Sequence, residues 1–394
     1  MFERRGVFAL LLLSVGAFSV AEDHFTPVLV SALNGNTQVF PGTDGRHHVL
    51  YELIMINANA TPATLQKVEV VSAAAPARSL ATYQGSELLA HLRSTASTAA
   101  ASPEIEFNGV RVFLIHLALP DGAAVPPRLM HRITLLGGAT PARKPQTPVA
   151  LEYLAARLTV SDNVPKLGPP LRGKDWVVFN GCCEASGAHR ATSQTVNGGL
   201  YFAQRFAIDW MRLDEAGRLV NGNAADVHSW AGYGSDVIAV ADGRVVETEQ
   251  NLDDQIPGSL PDPKTITLAN VDGNHIVLDL GNGVFTFYAH LQRNSIGVSP
   301  GEQVKRGQVL AKLGNTGNTS APHLHFHLIA GTSTLGSNGI PYVIDTFAYA
   351  GEISAAKFGD GEKLEGTWNE GLLRTPSVRH AQFPLDFAVI DFFR

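Results

Sequence analysis

Between Ala321 and Leu328 the chain reads APHLHFHL, which sets His323, His325 and His327 at every second position. Successive side chains of a strand face opposite ways, so the three imidazoles would share one face while Leu324, Phe326 and Leu328 fill the other. Imidazole binds metals and moves protons near neutral pH, so the histidine face suits chemistry and the apolar face suits a core. Three further pieces belong beside it: Asp209 in RFAIDW, His290 in FYAHL and His189 in SGAHR. The two cysteines, Cys182 and Cys183, are adjacent. In an exported protein they could oxidise to a vicinal disulfide, which closes almost no loop and would hardly stabilise the fold. Buried or merely tolerated thiols are the leading reading, with intermolecular pairing and metal ligation behind it.

The chain is long enough to build a scaffold around these residues. Its 394 residues open with MFERRGVFALLLLSVGAFSVAED, where Arg4 and Arg5 precede an apolar run from Val7 to Val15 and then small residues. This reads as a signal peptide over residues 1–21, ending at Ser19-Val20-Ala21, since a bilayer span needs roughly 20 apolar residues. No later segment reads as transmembrane, so an exported periplasmic or extracellular protein is expected. What remains suffices for two or three domains at roughly 100–200 residues each. Apolar residues make up 45% of the chain and charged ones 17%, against a usual charged share of about 25%, so a sizeable core is possible. A net charge of −6 without a Lys/Arg cluster leaves no footprint for nucleic acid or an anionic bilayer.

From residue 22 to 160 the sequence predicts a β-sandwich-like accessory domain. HHVLYELIMIN, TLQKVEVVSA, VRVFLIHLAL and HRITLLGG are strand-like runs separated by Gly, Asn, Asp and Pro. STASTAAASPE among them reads as a loop, and His47, His48, His116 and His131 as structural or solvated residues. Residues 161–176 concentrate Pro and Gly as a linker does. Residues 177–350 form a second β-rich domain with short strands and Gly-Asn or Asp-Gly turns. A C-terminal extension, 351–394, ends in FPLDFAVIDFF, which must be buried and could add a strand.

The run VSPGEQVKRGQVLAKLGNTGNTSAPHLHFHL, together with RFAIDW and FYAHL, resembles the lysostaphin/LytM-type zinc metallopeptidases. The resemblance covers about Ser186 to Leu328 and implies a β-sheet core of the duplicated hybrid motif type. Carried over position by position, it implies Asp209 and His325 as ligands of one zinc ion, and His290 and His323 as catalytic histidines beside the bound water. Residues at i and i+2 of a strand start roughly 6.5 Å apart, so one imidazole can reach zinc while its neighbour faces that water. The implied activity is a zinc endopeptidase acting on the peptide cross-links of peptidoglycan.

One departure bears on all of this. The family's first ligand stands four residues before Asp209, where this chain has Arg205. A guanidinium has no lone pair to give a metal. On a strand Arg205 and Asp209 share a face, so the arginine is expected to point into the same site, where it could pair with Asp209 or grip a substrate carboxylate. A third ligand must then come from elsewhere. His189 is the expected replacement, ahead of Cys182, Cys183, His228 and His275. His327 stands where the family often carries Glu and is expected either to support a ligand or to be solvated, rather than to ligate the metal itself. The alternative function is a catalytically degenerate relative that binds envelope peptides or regulates another hydrolase. A lipoyl- or biotinyl-like hairpin in GEQVKRGQVLAKLG ranks last, because it leaves the histidines unexplained.

Overall fold

Alternating apolar and polar residues through the first third of the chain produce long antiparallel strands in the computed structural model, which describes residues 23–360, 364 and 366–393. The expected signal peptide lies outside the described residues. The strands are β1 (Val28–Ala32), β2 (Asn36–Pro41), β3 (Arg46–Asn57), β4 (Ala63–Ser72), β5 (Ala75–Gln84), β6 (Val110–Pro120), β7 (Arg128–Gly137) and β8 (Val149–Ser161). One short helix, α1 (Gly85–His91), follows β5. β3 pairs with β1 and β2 on one side and β6 on the other, while β5, β4, β7 and β8 line up in that order. A parallel pairing of Thr159–Ser161 with Asn36–Gln38 joins the two layers.

The pleat of β3 and β6 explains why these strands read as nearly continuous apolar runs. Val49, Tyr51, Leu53 and Met55, with Phe113, Ile115 and Leu117, face the first domain's own core against Val68, Val70, Ile133 and Leu135. The alternate residues face the second domain. Leu50 joins its core, and Val112 and Leu114 pack on Ala185 and Phe202. A strand buried on both faces keeps apolar residues at odd and even positions alike.

The second domain is built on one large sheet, with two separate two-stranded pairs, Gln194–Val196 with Gly199–Tyr201 and Asp236–Ile238 with Val309–Lys312. Its main strands are β9 (Gly173–Phe179), β10 (Ile208–Arg212), β11 (Gly243–Glu249), β12 (Asn274–Asp279), β13 (Phe285–Leu291), β14 (Leu324–Ile329), β15 (Val343–Glu352), β16 (Leu372–Gln382) and β17 (Ala388–Phe392). In space β15, β17, β9, β10, β14, β13, β12 and β11 follow one another, with β16 on the outer side of β15. The apolar C-terminal stretch is therefore β17, seated between β15 and β9 with Ile390 opposite both Tyr349 and Trp176. The Pro/Gly-rich segment before β9 is tied down too. Lys166 and Leu167 pair with Val343 and Ile344, and Leu171 is buried. Two short helices matter below: α2 (Ala188–Ala191) and α3 (Ala355–Asp360).

Candidate metal centre

Three neighbouring strands bring the expected residues together. Asp209 on β10 lies directly opposite His325 on β14, and Ala289, just before His290 on β13, lies on the other side of His325. His325 Nδ1 is 2.8 Å from Asp209 Oδ1, His323 Nε2 is 3.3 Å from the same oxygen, and His189 Nε2 is 3.4 Å from Oδ2. The ring of His290 sits 4.7 Å from that of His323 and 5.8 Å from that of His325, centre to centre. These side chains line a groove of about 460 Å³, with Phe179, Asn180 and Asp272 on its walls.

The backbone decides which ring nitrogen faces the groove. His290 Nδ1 donates to Thr316 O at 2.7 Å, His323 Nδ1 to Ala321 O at 2.7 Å, and His189 Nδ1 to Ala207 O at 3.3 Å. A carbonyl only accepts, so each of these nitrogens carries the proton, and the neutral ring presents the lone pair of Nε2 to the site. His290 adopts φ 59, a left-handed conformation that a histidine holds only where its surroundings insist. Here Asp272 O accepts from its backbone N–H and Gly314 N–H donates to its carbonyl. Asn180 Nδ2 donates to Asp209 Oδ2 at 2.7 Å, and His325 Nε2 meets His327 Nδ1 at 3.0 Å. His327 is thus a support to His325, fully buried, and among the described residues its own Nε2 meets no partner.

Electrostatics separates these groups. Burial would raise the Asp209 carboxyl, but His189, His323 and His325 outweigh it and hold it well below the usual carboxylate range. Burial pushes His189 down to about 4, with Asp209 only partly offsetting it. His290 is held well below the ordinary histidine value by burial and then by His323 and His325. Burial would lower His323 as well, yet Asp209 lifts it above that value.

His189, Asp209 and His325 offer ligand atoms that all lie within 4.8 Å of one another, and His290, His323 and His325 form an overlapping group. Two imidazoles and a carboxylate make a donor set suited to a zinc site that keeps a position open for water. Zinc therefore fits these residues. His189 arrives on helix α2 rather than on a strand. His228 is exposed and His275 bonds Gly273 O, so neither joins the group. Cys182 and Cys183 form a buried vicinal disulfide, and Cys183 lies near His48 and His116 rather than in either group at the site.

The expectation for Arg205 is corrected. β10 begins at Ile208, so Arg205 lies in the preceding turn and not on the Asp209 strand. Its Nη1 pairs with Glu52 Oε2 of β3 at 2.5 Å and its Nε donates to Gly339 O at 2.9 Å. It contacts neither Asp209 nor the groove, because a buried carboxylate in the first domain provides the stronger partner. Asn180, Glu52 and Arg190 carry no spacing signal that would have singled them out in the sequence.

Part of the site falls within a stretch that is similar to known proteins. Peptidase family M23 matches residues 226–335, a span that contains His290, His323 and His325 and stops short of His189 and Asp209. Two peptidoglycan DD-endopeptidases of Vibrio cholerae serotype O1, ShyA and ShyC, are 46% and 41% identical to this chain over 57 and 58 residues. Those stretches are 14% and 15% of this chain and only 13% of either relative's length. Among solved structures, the catalytic domain of the antimicrobial peptidase lysostaphin from Staphylococcus simulans is 24% identical, with 37% of this chain and 80% of that one covered and a TM-score of 0.22. Residues 226–335, with the strands that carry His290 and His325, are therefore homologous to peptidase family M23, the lysostaphin/LytM-type zinc metallopeptidases.

Proposed function

We propose that the protein is an exported zinc metalloendopeptidase that hydrolyses peptide bonds in peptidoglycan cross-links. The observation that carries this reading is the completed donor set: His189 stands beside Asp209 and His325 although the usual first ligand position holds Arg205. Zinc held there would polarise a peptide carbonyl and lower the pKa of a water toward roughly 7. The remaining steps belong to the chain. His290 and His323, each pinned through Nδ1, present Nε2 to the groove, one to take a proton from water and the other to stabilise charge on the carbonyl oxygen. Asn180 and His327 hold Asp209 and His325 in place. The peptidoglycan substrate follows from the M23 match and the curated relatives. Arg4-Arg5 and the apolar run after them support export, and no helix among the described residues is long and apolar enough to cross a membrane.

Against the degenerate reading stands His189, which offers a donor beside Asp209 and His325 where Arg205 offers none. Metal analysis of the purified mature protein, with turnover of cross-linked muropeptide dimers, tests the enzyme. One zinc per chain and cleavage are expected. A parent protein that takes up no zinc sinks the proposal, whereas zinc retained by His189→Ala would keep the enzyme and remove His189 from the ligand set.

A further inference from the structure

We propose that Glu52, in the first domain, is a positioning residue for the metal centre, acting through Arg190 on the helical turn that carries His189. The inference rests on His189 being a zinc ligand. Glu52 projects from the face of β3 that meets the second domain and is 0% exposed. Each of its oxygens takes one arginine at 2.5 Å: Oε1 pairs with Arg190 Nη1 and Oε2 with Arg205 Nη1. Arg190 is 1% exposed, and its Nη2 also donates to Tyr51 O at 3.0 Å and to Ile115 O at 3.2 Å. Both of its Nη atoms are therefore seated on β3 and β6.

His189 and Arg190 are consecutive residues of α2, which spans only Ala188–Ala191 and has no side-chain cap. So short a helix cannot hold its own conformation and must be fixed by its surroundings. Those surroundings are mostly the first domain. Ala185 O accepts from Arg93 Nη2 at 2.6 Å, Ser193 N–H donates to Ser97 Oγ at 2.7 Å, and Ser193 Oγ donates to Thr95 O at 2.9 Å. With Arg190 on Glu52, the segment 185–193 is moored to the first domain before, within and after the turn. On the side of the catalytic sheet the His189 ring reaches Ala207 O and Asp209.

A ligand at the position of Arg205 would come from the turn leading directly into β10, and would need no support from the first domain. This chain instead draws its third donor from a segment anchored on the accessory domain, and the displaced Arg205 shares the anchor. The accessory domain is on this account a working part of the metal centre.

The test measures zinc affinity by chelator competition on the full mature chain, together with thermal unfolding of the metal-free protein. The variants are Glu52→Gln, Glu52→Asp, His189→Ala and the double Glu52→Gln/His189→Ala. Removing the groups that orient a ligand typically weakens metal binding 10–100-fold, and Glu52→Gln is expected to fall in that range. Glu52→Asp, which keeps the charge, should lose less. Because Glu52 acts through His189, the double variant should bind zinc no more weakly than His189→Ala alone. A folded Glu52→Gln with parental affinity overturns the proposal, as does a further loss in the double variant. Where Glu52→Gln does not fold, Glu52→Asp carries the comparison: weakened zinc binding with His189 present and none of that weakening in its absence is required. If His189→Ala binds zinc as the parent does, the ligand assignment has failed. If His189→Ala loses zinc and the Glu52 variants do not, only the present inference has failed.

Discussion

Both domains bury histidines, and they use them in opposite ways. In the first domain His48 Nδ1 bonds His116 Nε2 at 2.9 Å and His48 Nε2 bonds Asp44 at 3.0 Å. His131 bonds Tyr51 Oη through Nε2 and Ala156 O through Nδ1, both at 2.8 Å. Both nitrogens of His48 and of His131 are consumed, and Cys183, the sulfur near His48 and His116, is committed to Cys182. In the second domain His189, His290 and His323 spend only Nδ1 on backbone carbonyls, and their Nε2 atoms converge on a groove around Asp209. Closeness of imidazoles is shared; what differs is that three rings keep Nε2 off any backbone carbonyl and that Asp209 stands among them, with His325 meeting it through Nδ1 while its Nε2 rests on His327.

The contrast is broken most severely by His325→Ala, which removes a donor from both groups at the site. Loss of zinc and a fall in muropeptide cleavage of at least ~10³-fold are expected, since a bound metal is worth several kcal/mol to the transition state. His48→Gln should leave zinc content and turnover at the parental level. Next in size, His323→Ala and His290→Ala should retain zinc but lower kcat by roughly 10²–10⁴-fold, as loss of a proton-transfer group does. His327→Ala should weaken zinc binding by about 10–100-fold while leaving the ligands intact. His327→Glu should restore most of it by accepting from His325 Nε2–H.

The smallest effect is a dependence on acid in the first domain. Burial holds His131 down to about 4, while the unfolded chain protonates near 6.5. Between those values the unfolded state binds a proton that the folded state refuses, so the contribution is complete above about pH 6.5 and is lost as pH falls toward 4. The slope is about 1.4 kcal/mol per pH unit for this one group. Chemical unfolding at pH 7 and pH 5 should show it, and His131→Gln should flatten it. Equal slopes in the parent and His131→Gln would remove His131 from the account.

Much of the site can be read directly from local pattern. The alternation of APHLHFHL on a strand orders its faces through the pleat alone, and β14 places His325 and His327 on one side and Phe326 in the core. Asp209 and His290 follow from their motif positions, and structure brings both beside His325. The four long apolar runs of the first domain became β3, β4, β6 and β7 for the same reason. β5 and β8 were less legible, because their exposed faces carry small and polar residues that dilute the alternation.

Arg205 marks where local pattern stops being sufficient. Its type excludes it from metal binding on chemical grounds, and the sequence alone states that much. Which way it turns depends on Glu52, 153 residues earlier in the chain. No periodicity links the two, and their pairing exists only because β3 lays one face against the second domain. The same holds for His189, whose four-residue helix has no stability of its own and is placed by contacts with the first domain. Sequence by itself determined the strand faces and the chemical types of the donors, since both depend on neighbours within a few residues. Tertiary structure alone decided which donors meet, because a carboxylate buried between two domains selects its partners by proximity in space and by the cost of leaving a charge unpaired.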